Sequence, residues 1–235
     1  MVGIFSKDCY ISFLKEVANF ITNDNYDINK VKEPFTKYIS ESNEAFDLFA
    51  SKLPVVKEEL EADLDFFMIS DPAILSKEEV IYAYPGFKAI CCYRIAHALY
   101  EIGLKLEARM ISELAHSLTG IDIHPAARIA SPFFIDHGTG IVIGETTEIS
   151  SHVKMYQGVT LGALSLSNIE KVKGKKRHPT IEENVTIYAC ASILGDVTIG
   201  NDSVIGANVF LTEDVASFMK VTIGKPDLVI KEKNH

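Results

Sequence analysis

One histidine stands in a sequence context suited to proton transfer. His137 lies in Ile135-Asp136-His137-Gly138-Thr139-Gly140, where a carboxylate precedes it and two glycines follow. Glycine lets a ligand approach the backbone closely. Asp122 precedes His137 by fifteen residues, and a carboxylate against one imidazole nitrogen fixes the tautomer and raises the basicity of the other nitrogen. The sequence therefore predicts a general base, His137, that Asp122 supports.

The serines and cysteines of the sequence lack the contexts of catalytic nucleophiles, which favours direct transfer to a substrate. No serine of the sequence lies in a G-x-S-x-G turn of the kind that exposes a nucleophile. The four cysteines, Cys9, Cys91, Cys92 and Cys190, have no obvious activating partner in sequence and no metal-type spacing. We therefore predict reduced thiols and a reaction without a covalent enzyme intermediate.

A basic segment precedes Pro179 in an otherwise acidic chain. It contains Lys171, Lys173, Lys175, Lys176 and Arg177, whereas the whole chain has a net charge of −9. The acidic balance argues against a nucleic-acid binder, because neutralising phosphates needs a large basic surface. The local excess of positive charge favours an anionic small ligand, and a solvated surface loop is the alternative interpretation.

Two further histidines, together with His137, raise the question of a metal. His124, His137 and His152 are spaced by thirteen and fifteen residues, and three convergent histidines bind zinc in some enzymes. We favour Asp122 as the partner of His137 and predict no metal, with a metalloenzyme as the minor alternative.

The second half of the chain has a period of six residues, which neither an α-helix nor a hairpin sheet gives. Such a period is typical of a β-helix whose short strands form flat faces. Three faces would give eighteen residues per coil and four to five coils. The period lapses between Leu161 and Pro179, which predicts an outward loop that serves binding. The recurring residues are Ile123, Ile129, Ile135, Ile141, Thr147, Val153 and Val159, then Ile143, Ile149, Met155 and Leu161 at an offset of two, and Ile181, Ile187, Ile193, Ile199, Ile205 and Leu211.

The pattern of residues 1–118 predicts helices, because this segment contains few glycines and its apolar residues recur at helical spacing. We place helices at 6–22, 28–50, 55–68, 77–83, 87–101 and 105–118. No stretch approaches the roughly 18 apolar residues that span a bilayer, and the first residues lack the pattern of a secretory signal. We therefore expect a cytoplasmic protein without a membrane partner.

Several short motifs resemble the serine O-acetyltransferases, a family of the left-handed β-helix, hexapeptide-repeat acyltransferase superfamily. The resemblance covers residues 71–226 and implies an α+β chain, with a helical domain at 1–118 and a left-handed parallel β-helix at 119–235 that carries an extended loop at 163–178. The motifs are Asp71-Pro72-Ala73, Tyr93-Arg94-Ile95-Ala96-His97, Ile121-Asp122-Ile123-His124-Pro125-Ala126-Ala127, Ile135-Asp136-His137-Gly138-Thr139-Gly140, Gly158-Val159-Thr160-Leu161-Gly162 and Arg177-His178-Pro179.

The resemblance implies transfer of an acetyl group from acetyl-CoA to the hydroxyl of L-serine, for cysteine synthesis. His137 is then the general base that Asp122 orients. Asp71 and Asp136 match family positions that hold the serine amino group. Arg177 matches the position that binds its carboxylate, in the bidentate fork that guanidinium offers, and His178 lines the same pocket.

The resemblance also implies acetyl-CoA as a co-substrate, with no permanently bound cofactor. Acetyl-CoA would lie along the outside of the coils between subunits. Its contacts would come from small residues at turns and, on charge alone, from two lysines. The residues concerned are Gly162, Ala163, Ala189, Ala207, Lys175 and Lys176.

The partners that the resemblance implies are further copies of the chain, as a trimer or a dimer of trimers with active sites between subunits. L-Cysteine is an expected feedback inhibitor at the serine site. Many relatives insert a terminal isoleucine into O-acetylserine sulfhydrylase, but this chain ends Lys231-Glu232-Lys233-Asn234-His235. We therefore expect no complex by that tail.

Two further alternatives remain open. A hexapeptide acyltransferase that acts on homoserine or a sugar would retain His137 and the basic segment but would not need Asp71, Arg177 and His178 together. A non-catalytic scaffold would need none of these residues.

Overall fold

The computed structural model describes residues 7–23, 25–164 and 174–224. Within these ranges six helices come first, and a parallel β-helix follows, as the six-residue period predicted. The helices are α1 (Lys7–Thr22), α2 (Asn29–Tyr38), α3 (Asn43–Ser70), α4 (Lys77–Ala83), α5 (Pro85–Glu101) and α6 (Lys105–Thr119). None of the helices in these ranges is long and apolar enough to cross a bilayer.

One predicted break between helices is wrong. The sequence separated 28–50 from 55–68, whereas the chain breaks at 39–42 and then continues as the single helix α3. Ser42 begins this helix, because its hydroxyl accepts a hydrogen bond from the N–H of Ala45 at 3.2 Å. A local capping residue therefore sets the boundary.

Helix α3 continues through Pro54 because packing outweighs the lost hydrogen bond. Proline lacks an N–H and disfavours a helix interior, but Pro54 itself is exposed, on the solvent side of the helix. Residues on both sides of it keep one face buried at helical spacing, which holds the two halves against the same core: Phe49, Leu53, Val56 and Leu60.

The strands form three parallel sheets, which are the three faces of the β-helix. Sheet A has the order β1-β4-β7-β10-β13, sheet B β11-β8-β5-β2 and sheet C β14-β12-β9-β6-β3. The strands are β1 (Asp122–Ile123), β2 (Arg128–Ile129), β3 (Phe133–Asp136), β4 (Val142–Ile143), β5 (Glu148–Ile149), β6 (Val153–Tyr156), β7 (Thr160–Gly162), β8 (Thr180–Ile181), β9 (Thr186–Ile187), β10 (Ser192–Leu194), β11 (Thr198–Ile199), β12 (Val204–Ile205), β13 (Phe210–Leu211) and β14 (Lys220–Val221). Within the described residues these strands make just under five coils, which agrees with the predicted number.

The turns between the faces stack into three corners. The first corner, between sheets C and A, consists of 136–140, 156–158, 188–190 and 206–208. The second corner, between sheets A and B, consists of 124–127, 144–147, 162–164 and 195–197. The third corner, between sheets B and C, consists of 130–132, 150–152, 182–184 and 200–203.

The register explains why the two six-spaced series are offset by two residues. Asp122 pairs with Val142, twenty residues later, whereas Val142 pairs with Thr160, eighteen residues later. The two extra residues lie in the first-corner turn 136–140, because every other turn in these two coils keeps the six-residue step. The turn that carries His137 is therefore longer than its neighbours.

The predicted loop lies between β7 and β8. Glu148 of β5 pairs with Thr180 of β8, thirty-two residues later, so this coil has fourteen residues more than the eighteen of a regular one. The described ends of the loop, 163–164 and 174–179, lie at the second corner. Residues 165–173 of the loop, with Lys171 and Lys173, lie outside the described residues, as does the tail 231–235.

A buried ion pair joins the helices to the β-helix. Arg94 of α5 donates from Nε and Nη2 to the carboxylate of Asp63 of α3, at 2.6 and 2.9 Å, and from Nη1 to the carbonyl of Ile129 at 3.0 Å. Asp63 also accepts from the hydroxyl of Ser131 and the N–H of Phe133. Both charges are buried and hydrogen-bonded, so removing one partner would leave an unpaired buried charge. This pair fixes α3 and α5 against β3, which ends at the candidate site.

Candidate active site

The first corner carries His137 on an exposed, lengthened turn. The side chain is 69% exposed, and its Nδ1 lies 3.6 Å from Oδ1 of Asp136. His137 has a positive φ of 56°, a left-handed conformation that only a minority of non-glycine residues adopt. Such a conformation persists where the surrounding structure enforces it, and it is frequent at functional sites. The ring therefore projects into solvent, where a substrate can reach it.

Asp122 lies next to this turn, one coil away. Its N–H donates to the carbonyl of Ile141 at 2.9 Å, and its side chain points outward between two buried isoleucines. The turn packs against the residue that precedes Asp122, because a side chain at Gly138 would collide with Ile121. Among the described residues, the carboxylate within 4.0 Å of the His137 ring is that of Asp136.

Asp71 reaches the same corner from the end of α3. Its Oδ1 accepts a hydrogen bond from the N–H of Ala73 at 2.8 Å, and its Oδ2 accepts one from the hydroxyl of Tyr84 at 3.0 Å. Burial, this hydrogen bond and the charges of Asp71, Glu79 and Asp136 raise the pKa of Tyr84 to about 12. Tyr84 therefore stays a phenol that donates to Asp71.

A glycine allows this approach of the helices to the β-helix. Gly86 lies in the first turn of α5, directly against the backbone carbonyl of Ile135, so that any side chain there would collide with β3. The next residue of β3 is Asp136. The close contact therefore brings Tyr84, just before α5, to the corner that carries His137.

Two stacked tyrosines lie at the same corner, in the coils that follow. Tyr156 pairs in register with Asp136, and its ring stacks on that of Tyr188 at a centroid distance of 5.2 Å. Burial raises the pKa of Tyr156, and the charges of Asp136 and Asp71 raise it further. Two carboxylates and three phenols thus share one small region, an arrangement that favours a cation.

Arg177 and His178 lie at the second corner. Arg177 forms an ion pair with Glu145, and its N–H donates to the hydroxyl oxygen of Thr146 at 2.9 Å. The ring of His178 lies against Gly144, where a side chain would collide with it. Within one chain, Arg177 therefore contacts Glu145 and His178 contacts Gly144, and neither lies at the corner that carries His137.

His178 is held as a neutral imidazole. Its Nδ1 accepts a hydrogen bond from the N–H of Thr146 at 3.1 Å, which leaves Nε2 as the hydrogen donor. Burial, with the charge of Arg177, lowers the pKa of His178 to about 4. His124 behaves alike: its Nδ1 accepts from the N–H of Ala126, and burial lowers its pKa. The second corner thus offers a guanidinium and neutral N–H groups, which suit a carboxylate.

We expect His178 to make the protein less stable in mild acid. Its pKa is lower in the native state than the ordinary value of 6.5, so the unfolded chain binds more protons below that value. The free energy of unfolding therefore falls as the pH falls from 6.5 towards 4. The melting temperature should drop more steeply over this interval for the wild type than for His178→Gln, measured by thermal unfolding at constant ionic strength. His116→Gln, at an exposed histidine of α6, should keep the wild-type slope, and equal slopes for all three proteins would contradict the prediction.

The residues predicted to bind acetyl-CoA divide between two corners. Ala189 and Ala207 stack at the first corner, where the N–H of Asn208 donates to the carbonyl of Ala189 at 2.9 Å. Gly162 and Ala163 lie at the second corner, where the N–H of Gly195 donates to the carbonyl of Gly162. The two sets therefore flank sheet A from opposite sides.

The two lysines that the sequence assigned to the phosphates of acetyl-CoA have different surroundings. Lys175 is exposed. Lys176 instead donates from Nζ to the carbonyls of Thr146, His178 and Pro179, at 2.8, 2.6 and 3.2 Å. An ammonium group has three hydrogens, so Lys176 is fully engaged in closing the loop. Its predicted phosphate contact does not fit this arrangement.

The three histidines of the metal alternative are separated in one chain. His124 lies at the second corner, His137 at the first and His152 at the third. Within 7–23, 25–164 and 174–224, no group of three or more potential metal-ligating side chains converges. Within one chain, the described residues therefore do not bring these three histidines together.

A separate cavity of about 350 Å³ lies on sheet B, far from His137. Arg94, Glu59 and His97 line it from the helices, and Arg128 and Glu148 from the sheet. Its charged groups are paired: Arg94 with Asp63 and Glu59, and Arg128 with Glu148. It belongs to the junction between helices and β-helix rather than to the candidate site.

The fold and one profile match define the class of protein. The family described as "Bacterial transferase hexapeptide (six repeats)" matches residues 178–213, which lie in the regular coils after the loop. The chain thus contains hexapeptide repeats of the kind that this family of bacterial transferases describes.

Proteins of similar sequence identify the family within this class. A serine acetyltransferase of Helicobacter pylori is 43% identical over 175 residues, which cover 74% of this chain and 99% of that protein. The plasmid serine acetyltransferase of Synechococcus elongatus is 50% identical over 177 residues, which cover 74% of this chain and 56% of that protein. The chain belongs to the serine acetyltransferase family, which confirms the resemblance seen in its motifs.

A solved structure agrees over almost the whole chain. Entamoeba histolytica serine acetyltransferase 1, crystallised in complex with L-cysteine, has a TM-score of 0.81 and 37% identity to this chain, with 90% of this chain and 86% of that one covered. The helical part is therefore shared as well as the β-helix.

Proposed function

We propose that this protein transfers the acetyl group of acetyl-CoA to the hydroxyl of L-serine. The observation that carries the proposal is the cluster at the first corner, where Asp71, Asp136 and an exposed His137 meet in a chain of the serine acetyltransferase family. The carboxylates supply an ammonium site, and His137 supplies a base beside it. Such a pair of functions fits an amino acid that carries a hydroxyl group.

In this mechanism the ammonium group of serine binds Asp71 and Asp136. His137 accepts the hydroxyl proton while the serine oxygen attacks the thioester carbonyl. The C–S bond then breaks, and the imidazolium returns its proton to the CoA thiolate. Proton transfer by a positioned side chain of this kind contributes about 10²–10⁴-fold to rate.

We assign Asp122 the role of orienting His137 in the reacting complex. The imidazole lies near Asp136 in the free chain, but its exposure leaves it free to turn about its side-chain bonds. Asp122 flanks the same turn one coil away. With Asp136 bound to the substrate ammonium, Asp122 becomes the carboxylate that fixes the imidazole tautomer.

We further propose that the serine carboxylate binds Arg177 and His178 of a neighbouring copy. These residues lie across the width of sheet A from His137 in their own chain. Residues 141–143 of sheet A separate the two corner turns, or roughly 10 Å at about 3.3 Å per residue, so these groups are not neighbours within one chain. A closed trimer that sets the second corner of one copy against the first corner of the next completes every site.

Acetyl-CoA then lies in the groove between two copies. Ala189 and Ala207 of one copy leave room along the first corner, and Gly162 and Ala163 of the other leave room along the second. Lys175, which is exposed beside this groove, is the lysine that we assign to a phosphate. The same site would admit L-cysteine, which carries sulfur where serine carries oxygen and which is bound in the Entamoeba histolytica structure, so we expect L-cysteine to compete with L-serine.

The test is CoA release by the purified protein from acetyl-CoA with L-serine, L-homoserine, a simple galactoside or no acceptor. We expect release with L-serine at a kcat/KM at least about 100-fold above that with homoserine, since an extra methylene moves the hydroxyl away from the base and a misplacement of about 1 Å can cost that factor. Release with the galactoside alone would contradict the proposed binding site for an amino acid. Release with none of them would favour the scaffold.

A further inference from the structure

Tyr84 is a residue that the motifs did not single out, yet it contacts the carboxylate proposed to bind the substrate ammonium. Its hydroxyl donates to Oδ2 of Asp71 at 3.0 Å, while the N–H of Ala73 donates to Oδ1 at 2.8 Å. The two contacts come from different elements. Together they fix both the position and the rotation of the Asp71 carboxylate.

The tyrosine is itself held in place. Its N–H donates to the carbonyl of Val80 at 3.2 Å, and its ring meets that of Phe67 edge-on at 6.3 Å. Pro85 follows it and Gly86 packs on β3. The hydroxyl is therefore aimed by the rigid start of α5 and not by a flexible loop.

A second carboxylate, that of Asp136, belongs to the same corner as this hydroxyl. Asp71 and Asp136 both act on Tyr84 and on the neighbouring Tyr156. Like charges that share one site repel each other, and the hydroxyl donor on Asp71 holds that carboxylate in place until an ammonium group binds. Charge-assisted hydrogen bonds of this type are stronger than neutral ones.

We propose that Tyr84 is a positioning residue of the serine site, which holds Asp71 towards Asp136 so that the two carboxylates receive the substrate ammonium group. The inference rests on the proposed function. It adds the start of α5 to a site otherwise built from the end of α3 and the first corner.

The test is Tyr84→Phe, which removes the hydroxyl and keeps the ring on Phe67. We expect the KM for L-serine to rise about tenfold, which is the effect on binding of losing one hydrogen bond to a charged group. The kcat and the KM for acetyl-CoA should change by less than about twofold, since Tyr84 touches neither the base nor the groove. Tyr82→Phe, at a tyrosine of α4 that is 80% exposed, is the matched control and should leave all three constants unchanged.

A double-mutant cycle with Asp71→Asn separates positioning from a structural role. If Tyr84 acts through Asp71, Tyr84→Phe should have little further effect in the Asp71→Asn protein. An acceptor without the amino group, 3-hydroxypropanoate, should be acetylated equally well by the wild type and by Tyr84→Phe.

Several outcomes would overturn the inference. These are an unchanged KM for L-serine, a full tenfold effect in the Asp71→Asn background, or a fall in kcat together with a lowered melting temperature. A wild type that releases no CoA with L-serine would instead overturn the proposed function. In that case direct calorimetric titration with L-serine still tests whether Tyr84→Phe weakens binding.

Discussion

The His137→Asn variant is expected to lose about a thousandfold in kcat with L-serine, within the range that a general base contributes. Asparagine suits the backbone at this position, because it tolerates a positive φ and already occupies that conformation at Asn184 and Asn208. The loss would therefore come from the missing imidazole and not from strain in the turn. Steady-state CoA release and the melting temperature are the two measurements.

A second histidine of the same kind is the matched control. His152 also has a positive φ, 61°, and also lies beside a carboxylate, Glu183, but at the third corner. His152→Asn should retain at least about half of the wild-type kcat, because no substrate group reaches the third corner. Equal losses in the two variants, or a His137→Asn protein that keeps its kcat, would contradict the role of His137 as base.

The second large effect concerns Arg177. We expect Arg177→Ala to raise the KM for L-serine about a hundredfold, because two hydrogen bonds from a charged group to the carboxylate are lost. Arg177→Lys should recover only part of this loss, because lysine cannot offer the bidentate fork. The measurement is CoA release as a function of serine concentration, with the KM for acetyl-CoA as the internal reference.

Mixed oligomers test whether Arg177 acts on a neighbouring copy. If each site takes His137 from one chain and Arg177 from the next, co-expressed His137→Asn and Arg177→Ala chains form some sites with both wild-type residues. Random mixing in a closed trimer gives about one quarter of such sites. At a serine concentration below the wild-type KM, the mixture should therefore recover about a quarter of the wild-type rate.

The contrary outcome of that experiment is equally clear. If His137 and Arg177 of the same chain formed one site, no mixed oligomer would contain a complete site. Co-expression would then give no more than the average of the two parent variants, and the proposal of a shared site would be wrong.

The sequence by itself determined the kind of fold and the family. The six-residue period is a local property, because each inward aliphatic must return to the core after one face, and burial of Ile181, Ile187 and Ile193 follows from that spacing alone. Motifs such as Asp136-His137 carried the resemblance to serine acetyltransferases, since they sit within a few consecutive residues. The offset of two between the series was also visible, although its cause was not.

Only the tertiary structure decided which candidates meet. The extra length of the His137 turn, the distance of Arg177 from His137 and the engagement of Lys176 by three carbonyls all depend on which corner each residue reaches. Tyr84 and Asp71 are thirteen residues apart, yet their contact depends on Gly86 packing against β3 nearly fifty residues later. Packing between segments far apart in the chain sets these positions, and a local pattern of residue types does not contain that information.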